Sequence, residues 1–256
     1  MSTLSVEKLD TNLYLFEEVS GNCVDAYLVI GEKGALMIDA LQSVEGLYGK
    51  ARELTGLPIS VVIAHGHGDH CGPAVREFAA AGCTVYMDKR DEPVLEEMGA
   101  GPFPPDFFTA LEGINRFDLG GITLEVIPLP GHTPGSVMLL DRANRRLFSS
   151  DSIGSGPIWM QLSHSLPLHE FRDNLKTVYE DLKQYGDLKI FCGHRKQSPK
   201  PLTLEYAADV LETLELILSG REQGEDQSVD YGDLHMEFLA LKHKSMLGFC
   251  YDPKKL

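Results

Sequence analysis

The sequence contains no apolar run long enough to cross a bilayer, and residues 1–8 lack the basic and apolar regions of a secretory signal. Its five cysteines are odd in number and scattered, unlike a disulfide framework or a Cys-x-x-Cys metal site. Basic residues are also few: 23 Lys and Arg stand against 38 Asp and Glu, for a net charge of −15. These features predict a cytoplasmic protein with reduced thiols and no membrane partner. Nucleic acid is a poor candidate ligand because an acidic surface repels phosphates.

Length and composition predict one globular domain. The chain has 256 residues, 43% hydrophobic and 24% charged, which is enough for a sizeable core. No internal repeat, low-complexity tract or second core-forming block is evident, so we expect a single domain over residues 1–256. Residues 221–256 are expected to form a C-terminal extension, in which the polar stretch 221–233 is predicted to be a loop.

Apolar periodicity predicts the α/β class. Helices are predicted over 44–55, 72–81, 168–185 and 202–218. Short apolar runs between and around them predict strands, and this alternation is typical of sheets covered by helices. Two segments interrupt the pattern: 91–117, where three prolines fall in four positions, and 152–167.

The densest group of potential metal ligands is the run His65-Gly66-His67-Gly68-Asp69-His70, which follows an apolar strand predicted over 59–64. Three imidazoles and one carboxylate leave a short stretch of backbone in different directions, and the two glycines permit a tight loop. Imidazole and carboxylate are ligands that zinc and similar ions prefer. The run therefore predicts a metal site rather than a solvated polar loop.

Three single residues are candidate partners of this run, because each follows a strand-like segment: His132, Asp151 and His194. Any one of them alone would be interpreted as a cap or a turn residue. Together with the histidine-rich run they predict convergence at one rim of a sheet. Asp39, which ends an earlier predicted strand, either orients a ligand histidine or caps a turn.

These motifs resemble the metallo-β-lactamase superfamily of metal-dependent hydrolases. The resemblance rests on H-x-H-x-D-H, then P-G-H-T-P-G-S around His132, then Asp151, then the Gly-His pair at His194, in that order. It extends from about Asn22 to about Leu218. The resemblance implies a four-layer αββα sandwich, with mixed sheets inside and helices on the outer faces.

The resemblance also implies a dinuclear metal centre. It assigns the first ion to His65, His67 and His132, the second to Asp69, His70 and His194, and makes Asp151 the bridging ligand. Two divalent ions would generate a bridging hydroxide at neutral pH, and Asp69 would orient the water and accept its proton as the catalytic residue. Zinc suits these ligands, and iron or manganese would also fit.

Several hydrolase activities are compatible with this ligand set, and a small-molecule ester, thioester or lactone is favoured. Glyoxalase II-like thioester hydrolysis fits Asp151, but the basic residues available for glutathione carboxylates are only Arg195, Lys196 and Lys200. Acyl-homoserine lactonases often place tyrosine three residues after the bridging Asp, where this chain has Gly154. True β-lactamases do not use Asp at the position of Asp151, so β-lactam cleavage is expected only as a side reaction.

Three further alternatives differ in how well the sequence supports them. Cleavage of a small phosphodiester is permitted by the metal site. Flavin-linked di-iron oxidoreductases carry Glu where this chain has His67, which argues against them. A metal-binding protein without turnover is the non-enzyme alternative, although a structural site seldom needs two ions with an open position.

Five residues are candidate walls of the substrate pocket. They are Phe103, Phe107, Phe108, Trp159 and His164. The phenylalanines lie in the interrupted segment 91–117, which is expected to flank the active site as a wall or lid. The alternative is that they pack this segment onto the domain or form a homodimer contact. Trp159 and His164 lie in the segment 152–167. The alternative for Trp159 is core packing, and the alternative for His164 is a solvent-exposed or helix-capping position.

Overall fold

A seven-stranded sheet forms the N-terminal half of the protein. The structure is a computed structural model that describes residues 3–198, 202–231, 234–244, 246 and 248–256. The strands of the first sheet, in spatial order, are β1 (Leu4–Asp10), β2 (Leu13–Glu18), β3 (Asp25–Ile30), β4 (Ala35–Ile38), β5 (Ile59–Val62), β6 (Val85–Met87) and β7 (Thr109–Ala110). Strands β1 to β4 pair antiparallel, and β4 to β7 pair parallel.

Two further sheets follow. The second contains β8 (Arg116–Asp118), β9 (Thr123–Pro128), β10 (Val137–Asp141), β11 (Arg146–Ser150) and β13 (Lys189–Cys192), in the order β13-β11-β10-β9-β8. The third contains β12 (Ile158–Met160), β14 (Glu225–Tyr231), β15 (Leu234–Leu241) and β16 (Phe249–Tyr251), in the order β12-β16-β15-β14. In the second sheet β11 and β13 are parallel, so both carry their C-terminal ends to the same edge.

The described part of the chain contains five α-helices, which cover the sheets. They are α1 (Leu47–Leu54), α2 (Ala74–Ala80), α3 (Glu92–Glu97), α4 (Leu168–Leu182) and α5 (Leu204–Leu218). Four correspond to the helices predicted over 44–55, 72–81, 168–185 and 202–218. Helix α1 begins three residues later than predicted because Gly46 adopts φ 83°, a left-handed conformation that does not continue a helix.

The alternating faces of the strands assemble the layers. In the first sheet, Val29 and Leu36 point towards the second sheet, whereas Leu28 and Met37 point towards α1 and α2. Similarly, α4 and α5 pack on the outer face of the second sheet, where Leu140 is fully buried. Because side chains alternate along a strand, each of these two sheets presents one face to the other sheet and one to helices. The expected αββα sandwich is confirmed.

The C-terminal extension differs from its prediction. The stretch 221–233 was expected to be a loop, but Glu225–Tyr231 is strand β14, which pairs with β15 in an antiparallel hairpin. Five of the seven residues of β14 are polar, which obscures the strand signal, and pairing with β15 decides its conformation. Among the described residues, no helix has both the length and the hydropathy required to span a membrane.

Candidate metal centre

The sheets bring four strand ends together at one rim of the sandwich. His65 follows β5, His132 lies in the loop between β9 and β10, Asp151 directly follows β11, and His194 follows β13. All three histidines are buried, with at most 7% of their surface exposed. The predicted convergence of these residues with the histidine-rich run is therefore present in the fold.

The first group of potential ligands includes Asp151. It consists of His65, His67, His132 and Asp151, whose ligand atoms all lie within 4.8 Å of one another. Nδ1 of His67 is 3.0 Å from Nε2 of His132, and Nε2 of His65 is 3.9 Å from Oδ2 of Asp151. This is a three-imidazole, one-carboxylate donor set, which suits zinc and other divalent ions.

A second group lies on the other side of the same carboxylate. It consists of Asp69, His70 and His194, again with ligand atoms within 4.8 Å of one another. Oδ2 of Asp151 is 3.4 Å from Nε2 of His70 and 3.3 Å from Nε2 of His194. Asp151 therefore stands between two donor groups, and its oxygen is within reach of both.

Two buried atoms in this cluster have no hydrogen-bond partner among the described residues: Nε2 of His65 and Oδ1 of Asp151. A buried polar atom without a partner costs about 1–3 kcal/mol, so such atoms ordinarily signal an ion or a water. Both atoms belong to residues of the first donor group. The residues present therefore fit a bound divalent cation.

Hydrogen bonds to the far nitrogen of each ring prepare the histidines as ligands. Nδ1 of His132 donates to the carbonyl oxygen of Trp159 at 2.8 Å, and Nδ1 of His194 donates to that of Asn22 at 2.9 Å. A carbonyl can only accept, so both rings carry a proton on Nδ1. Nε2 of each ring points into the centre, where its lone pair can bind a metal once that nitrogen carries no proton.

Asp39 orients two more ligand histidines. Its Oδ2 accepts hydrogen bonds from Nδ1 of His70 at 3.1 Å and from the Ser150 hydroxyl at 2.7 Å. Because Ser150 donates to the carboxylate, its oxygen is free to accept from Nδ1 of His65 at 3.1 Å. The backbone N–H of Ala64 completes the arrangement on Oδ1 of Asp39 at 2.8 Å. The structure favours the orienting role over a turn cap.

Two residues of this arrangement have a strained backbone conformation. Asp39 has φ 65° and Ser150 has φ 44°, a region that costs about 1–3 kcal/mol for residues other than glycine. Both residues stand at the ends of strands that enter the centre. The surrounding hydrogen bonds therefore maintain a conformation that the free chain would avoid.

Asp91 is a buried carboxylate that sequence reasoning did not identify. Its Oδ2 accepts from the backbone N–H of Gly66 at 2.7 Å and from the Thr133 hydroxyl at 2.5 Å, while its Oδ1 accepts from the N–H of Gly135 at 2.6 Å. Asp91 thereby joins the histidine-rich run to the loop that carries His132. In the sequence, Asp91 resembles an ordinary residue at a helix start, and no local signal distinguishes it.

Electrostatics separates the ligand histidines into two kinds. Burial dominates the surroundings of His65 and His67 and lowers the pKa of both, so these rings are neutral. Burial also acts to lower the pKa of His70, but the charges of Asp151 and Asp69 outweigh it and raise that pKa to about 10. A cation bound beside His70 must therefore displace a proton.

The comparisons with known proteins agree with this geometry. A model of the family described as the metallo-beta-lactamase superfamily matches residues 22–194, a span that contains every predicted ligand. The chain belongs to the metallo-β-lactamase superfamily. The residues converging at the rim of the sandwich thus lie in a member of a hydrolase superfamily, and the chain is a metal-dependent hydrolase.

Relatives of this superfamily member include both named and unnamed proteins. An uncharacterized protein of Aquifex aeolicus is 26% identical over 182 residues, which cover 67% of this chain and 84% of that protein. Hydroxyacylglutathione hydrolase GloC of Haemophilus influenzae is 28% identical over 175 residues, covering 64% of this chain and 81% of that protein.

Solved structures share the superfamily fold. A metallo-beta-lactamase from Pontibacter korlensis superposes with a TM-score of 0.66 at 17% identity, covering 83% of this chain and 99% of that one. The metallo-beta-lactamase of Erythrobacter litoralis gives a TM-score of 0.65 at 14% identity, with 83% and 96% covered. At these identities the likeness concerns the fold alone.

A cavity of about 180 Å³ opens onto the donor groups of this superfamily member. Its walls away from the ligands are apolar at Met98, Pro157, Trp159 and Leu162, and polar at Asn22, Ser155 and Gln197. Asp69 and Asp151 also line this cavity. No lysine or arginine is among the described residues that line it.

The structure divides the predicted pocket residues. Trp159 lines the cavity, as expected for a wall. Phe103, Phe107 and Phe108 do not: their ring centroids lie 4.9 Å apart, and the Arg76 guanidinium stands 4.4 Å from the centroid of Phe103. They pack against the core between the first sheet and its helices, so their placement favours packing over a substrate wall.

The position of His164 differs from each of its predicted roles. It is not among the residues lining the cavity, and its side chain is only 6% exposed. Its Nε2 lies 2.8 Å from Nε2 of His67, on the side of that ring away from the donor group. His164 therefore stands behind a ligand histidine.

Gly193 allows a close approach that the centre needs. A Cβ atom added there would lie 2.3 Å from Oδ1 of Asp151 and 2.5 Å from Cε1 of His70. We expect Gly193→Ala to displace these side chains and to lower hydrolytic turnover at least about 100-fold, because displacements near 1 Å have this effect. The matched control is Gly186→Ala, where an added Cβ meets nothing within 4 Å. Equal turnover in both variants would contradict the close-packed centre.

Proposed function

We propose that this protein is a dinuclear metal-dependent hydrolase of a small, uncharged ester, thioester or lactone. The observation that carries the proposal is the position of Asp151, whose Oδ2 lies within 4.0 Å of nitrogens from both donor groups. A carboxylate shared in this way supports two adjacent ions, with zinc as the default because the donors are nitrogen and oxygen. The first ion would be held by His65, His67 and His132, and the second by Asp69, His70 and His194.

Two divalent ions in this centre would supply Lewis acidity that activates water and polarises a carbonyl oxygen. The chain supplies the remaining roles. Burial would raise the pKa of Asp69, but His70 and His194 outweigh it and lower that pKa to about 2, so the carboxylate is ionised. An ionised Asp69 at the cavity can orient the attacking water and accept its proton.

The shape and charge of the cavity support a small neutral substrate. A volume of about 180 Å³ leaves room for a short acyl group beside the apolar walls of Trp159 and Leu162. The amides of Asn22 and Gln197 can contact polar substrate atoms without supplying a formal charge. The substrate is therefore bound mainly by apolar contact and by its carbonyl group.

The basic residues considered for glutathione are engaged elsewhere. Nη2 of Arg195 contacts Glu7 at 2.9 Å and Glu17 at 3.3 Å, and Nζ of Lys196 contacts Glu17 at 2.5 Å. Lys200 lies outside the described residues. The hydroxyacylglutathione hydrolases among the relatives support thioester cleavage, whereas these ion pairs disfavour recognition of glutathione carboxylates.

The test uses a pair of thioesters that share the lactoyl group and differ in the size and charge of the thiol. We expect purified protein to contain two metal ions per chain and to cleave S-lactoyl-N-acetylcysteamine, which is neutral, with a higher kcat/KM than S-lactoylglutathione. An aryl ester, a γ-lactone, bis(p-nitrophenyl) phosphate and a chromogenic cephalosporin complete the panel. Chelation should abolish turnover, and added zinc, iron or manganese should restore it.

Each outcome bears on a different part of the proposal. Preference for the glutathione thioester would overturn the neutral-substrate assignment and leave the metal chemistry in place. Phosphodiester or cephalosporin turnover above that of every carbonyl ester would replace the bond assignment. Less than one metal per chain after reconstitution would overturn the dinuclear centre itself, and two metals without any turnover would favour a metal-binding protein.

A further inference from the structure

A hydrogen-bonded row of three side chains leads from the buried donor groups to the surface. Nε2 of His67 lies 2.8 Å from Nε2 of His164, and Nδ1 of His164 lies 3.3 Å from Oε2 of Glu97. The His67 and His164 ring centroids are 5.0 Å apart, with planes inclined at 67°. The row therefore consists of a ligand imidazole, an intervening imidazole and a carboxylate that is 49% exposed.

The two hydrogen bonds that link His67, His164 and Glu97 run in the same direction, from His67 to Glu97. Nδ1 of His67 faces Nε2 of His132 at 3.0 Å inside the donor group. Nδ1 of His67 must therefore carry no proton if it is to bind a cation. The proton of a neutral His67 then sits on Nε2 and is donated to Nε2 of His164. That nitrogen must accept, so His164 carries its proton on Nδ1 and donates it to the Glu97 carboxylate.

We propose that Glu97 and His164 are positioning residues that fix the ring orientation and tautomer of His67 for the ion held by His65, His67 and His132. The proposal rests on the dinuclear centre proposed above. The four other ligand histidines donate Nδ1–H to a neighbouring carbonyl, hydroxyl or carboxylate, whereas His67 faces inward through Nδ1 and needs its acceptor at Nε2. His164 supplies that acceptor.

The loop that carries His164 is itself anchored. Nζ of Lys255 lies 2.7 Å from the carbonyl oxygen of Leu162, 2.7 Å from that of Ser163 and 2.8 Å from that of Ser165. The Ser163 hydroxyl also donates to Glu97. One ammonium group thus contacts the backbone on both sides of His164, the residue that supplies the acceptor for His67. A loosely held loop would not serve this purpose.

The experiment measures how readily the loaded protein releases its metal. Protein reconstituted with Co²⁺ is challenged with a chromogenic chelator, and the visible spectrum of the remaining Co²⁺ reports its ligand geometry. We expect His164→Phe, which removes the acceptor, to release one of two equivalents about 10- to 100-fold more readily, the range typical for loss of an outer hydrogen-bond partner. We expect His164→Gln, whose amide oxygen can accept, to retain affinity within a few-fold, and Glu97→Leu to lie between them.

Controls separate this proposal from structural damage and from the proposed function. His235→Phe removes an exposed imidazole that also pairs with a carboxylate, Asp230 at 2.7 Å, and should release both equivalents like the wild type. Release from His164→Phe at the wild-type rate, or equal losses in His164→Phe and His164→Gln, would overturn the positioning role. Failure of the wild type to hold two equivalents would instead overturn the dinuclear centre.

Discussion

Replacing Asp151 by alanine is expected to abolish turnover and to lower the metal content from two ions per chain to one or none. The side chain is 12% exposed, and its Oδ2 lies 3.3–4.0 Å from nitrogens of His65, His70, His132 and His194. Without this carboxylate the clustered imidazoles lose the negative charge between them, and each remaining donor group has only three ligands. Elemental analysis and ester turnover after reconstitution measure the two effects.

Two comparisons make the Asp151 result interpretable. Asp141→Ala removes another buried carboxylate, one that accepts hydrogen bonds from Asn144 and lies 3.9 Å from Arg146, and should cost stability while leaving the metal content unchanged. Asp69→Asn keeps the size of the side chain but removes the proton acceptor, so we expect it to reduce turnover more than metal content. Full activity of Asp151→Ala would mean that Asp151 does not bridge the two donor groups.

Replacing Asp91 by alanine is expected to have the second large effect, on stability and on metal binding together. Three donors, from Gly66, Thr133 and Gly135, would lose a fully buried carboxylate. Hydrogen bonds to charged groups contribute about 1.5–3 kcal/mol each, so we expect the free energy of unfolding to fall by at least about 3 kcal/mol. Urea unfolding of the variant and the wild type measures this difference.

The Asp91 prediction also has a signature in the metal centre. Asp91 joins the loop of His67 to the loop of His132, so the variant should release metal more readily even under conditions where it remains folded. Asp88→Ala is the matched control, because this neighbouring carboxylate is paired with Arg90, a side chain 50% exposed, and caps a short helix. We expect it to cost about 1 kcal/mol. A smaller loss for Asp91→Ala than for Asp88→Ala would contradict the joining role.

The parts of the site that could be predicted share a local origin. His65, His67, Asp69 and His70 lie in one run after a buried strand, and such a run has few interpretations other than a metal site. His132, Asp151 and His194 are single residues, but each follows a strand-like segment. Because strands carry their ends to a common rim, the order of these motifs was enough to predict their convergence.

The pocket residues show where local patterns lose their force. The aromatic segment around Phe103 was predicted to be a wall because its prolines interrupt the helix pattern and its aromatic residues are clustered. In the structure the three rings pack on one another, on Arg76 and on the core. Met98, Asn22 and Gln197, which do line the cavity, carry no signal that distinguishes them from surface residues.

The sequence by itself determined the layered α/β fold, the superfamily and the residues that gather at the metal centre, because period-two and helical periodicity and the spacing of the motifs are local properties. Only the tertiary structure decided which groups hold those residues in place: Asp39 with Ser150, Asp91 between two loops, and Glu97 with His164 behind His67. Each of these three arrangements includes a contact between residues more than 40 positions apart. A polar side chain can meet any of several partners over such a separation, and the packing of the sheets selects one.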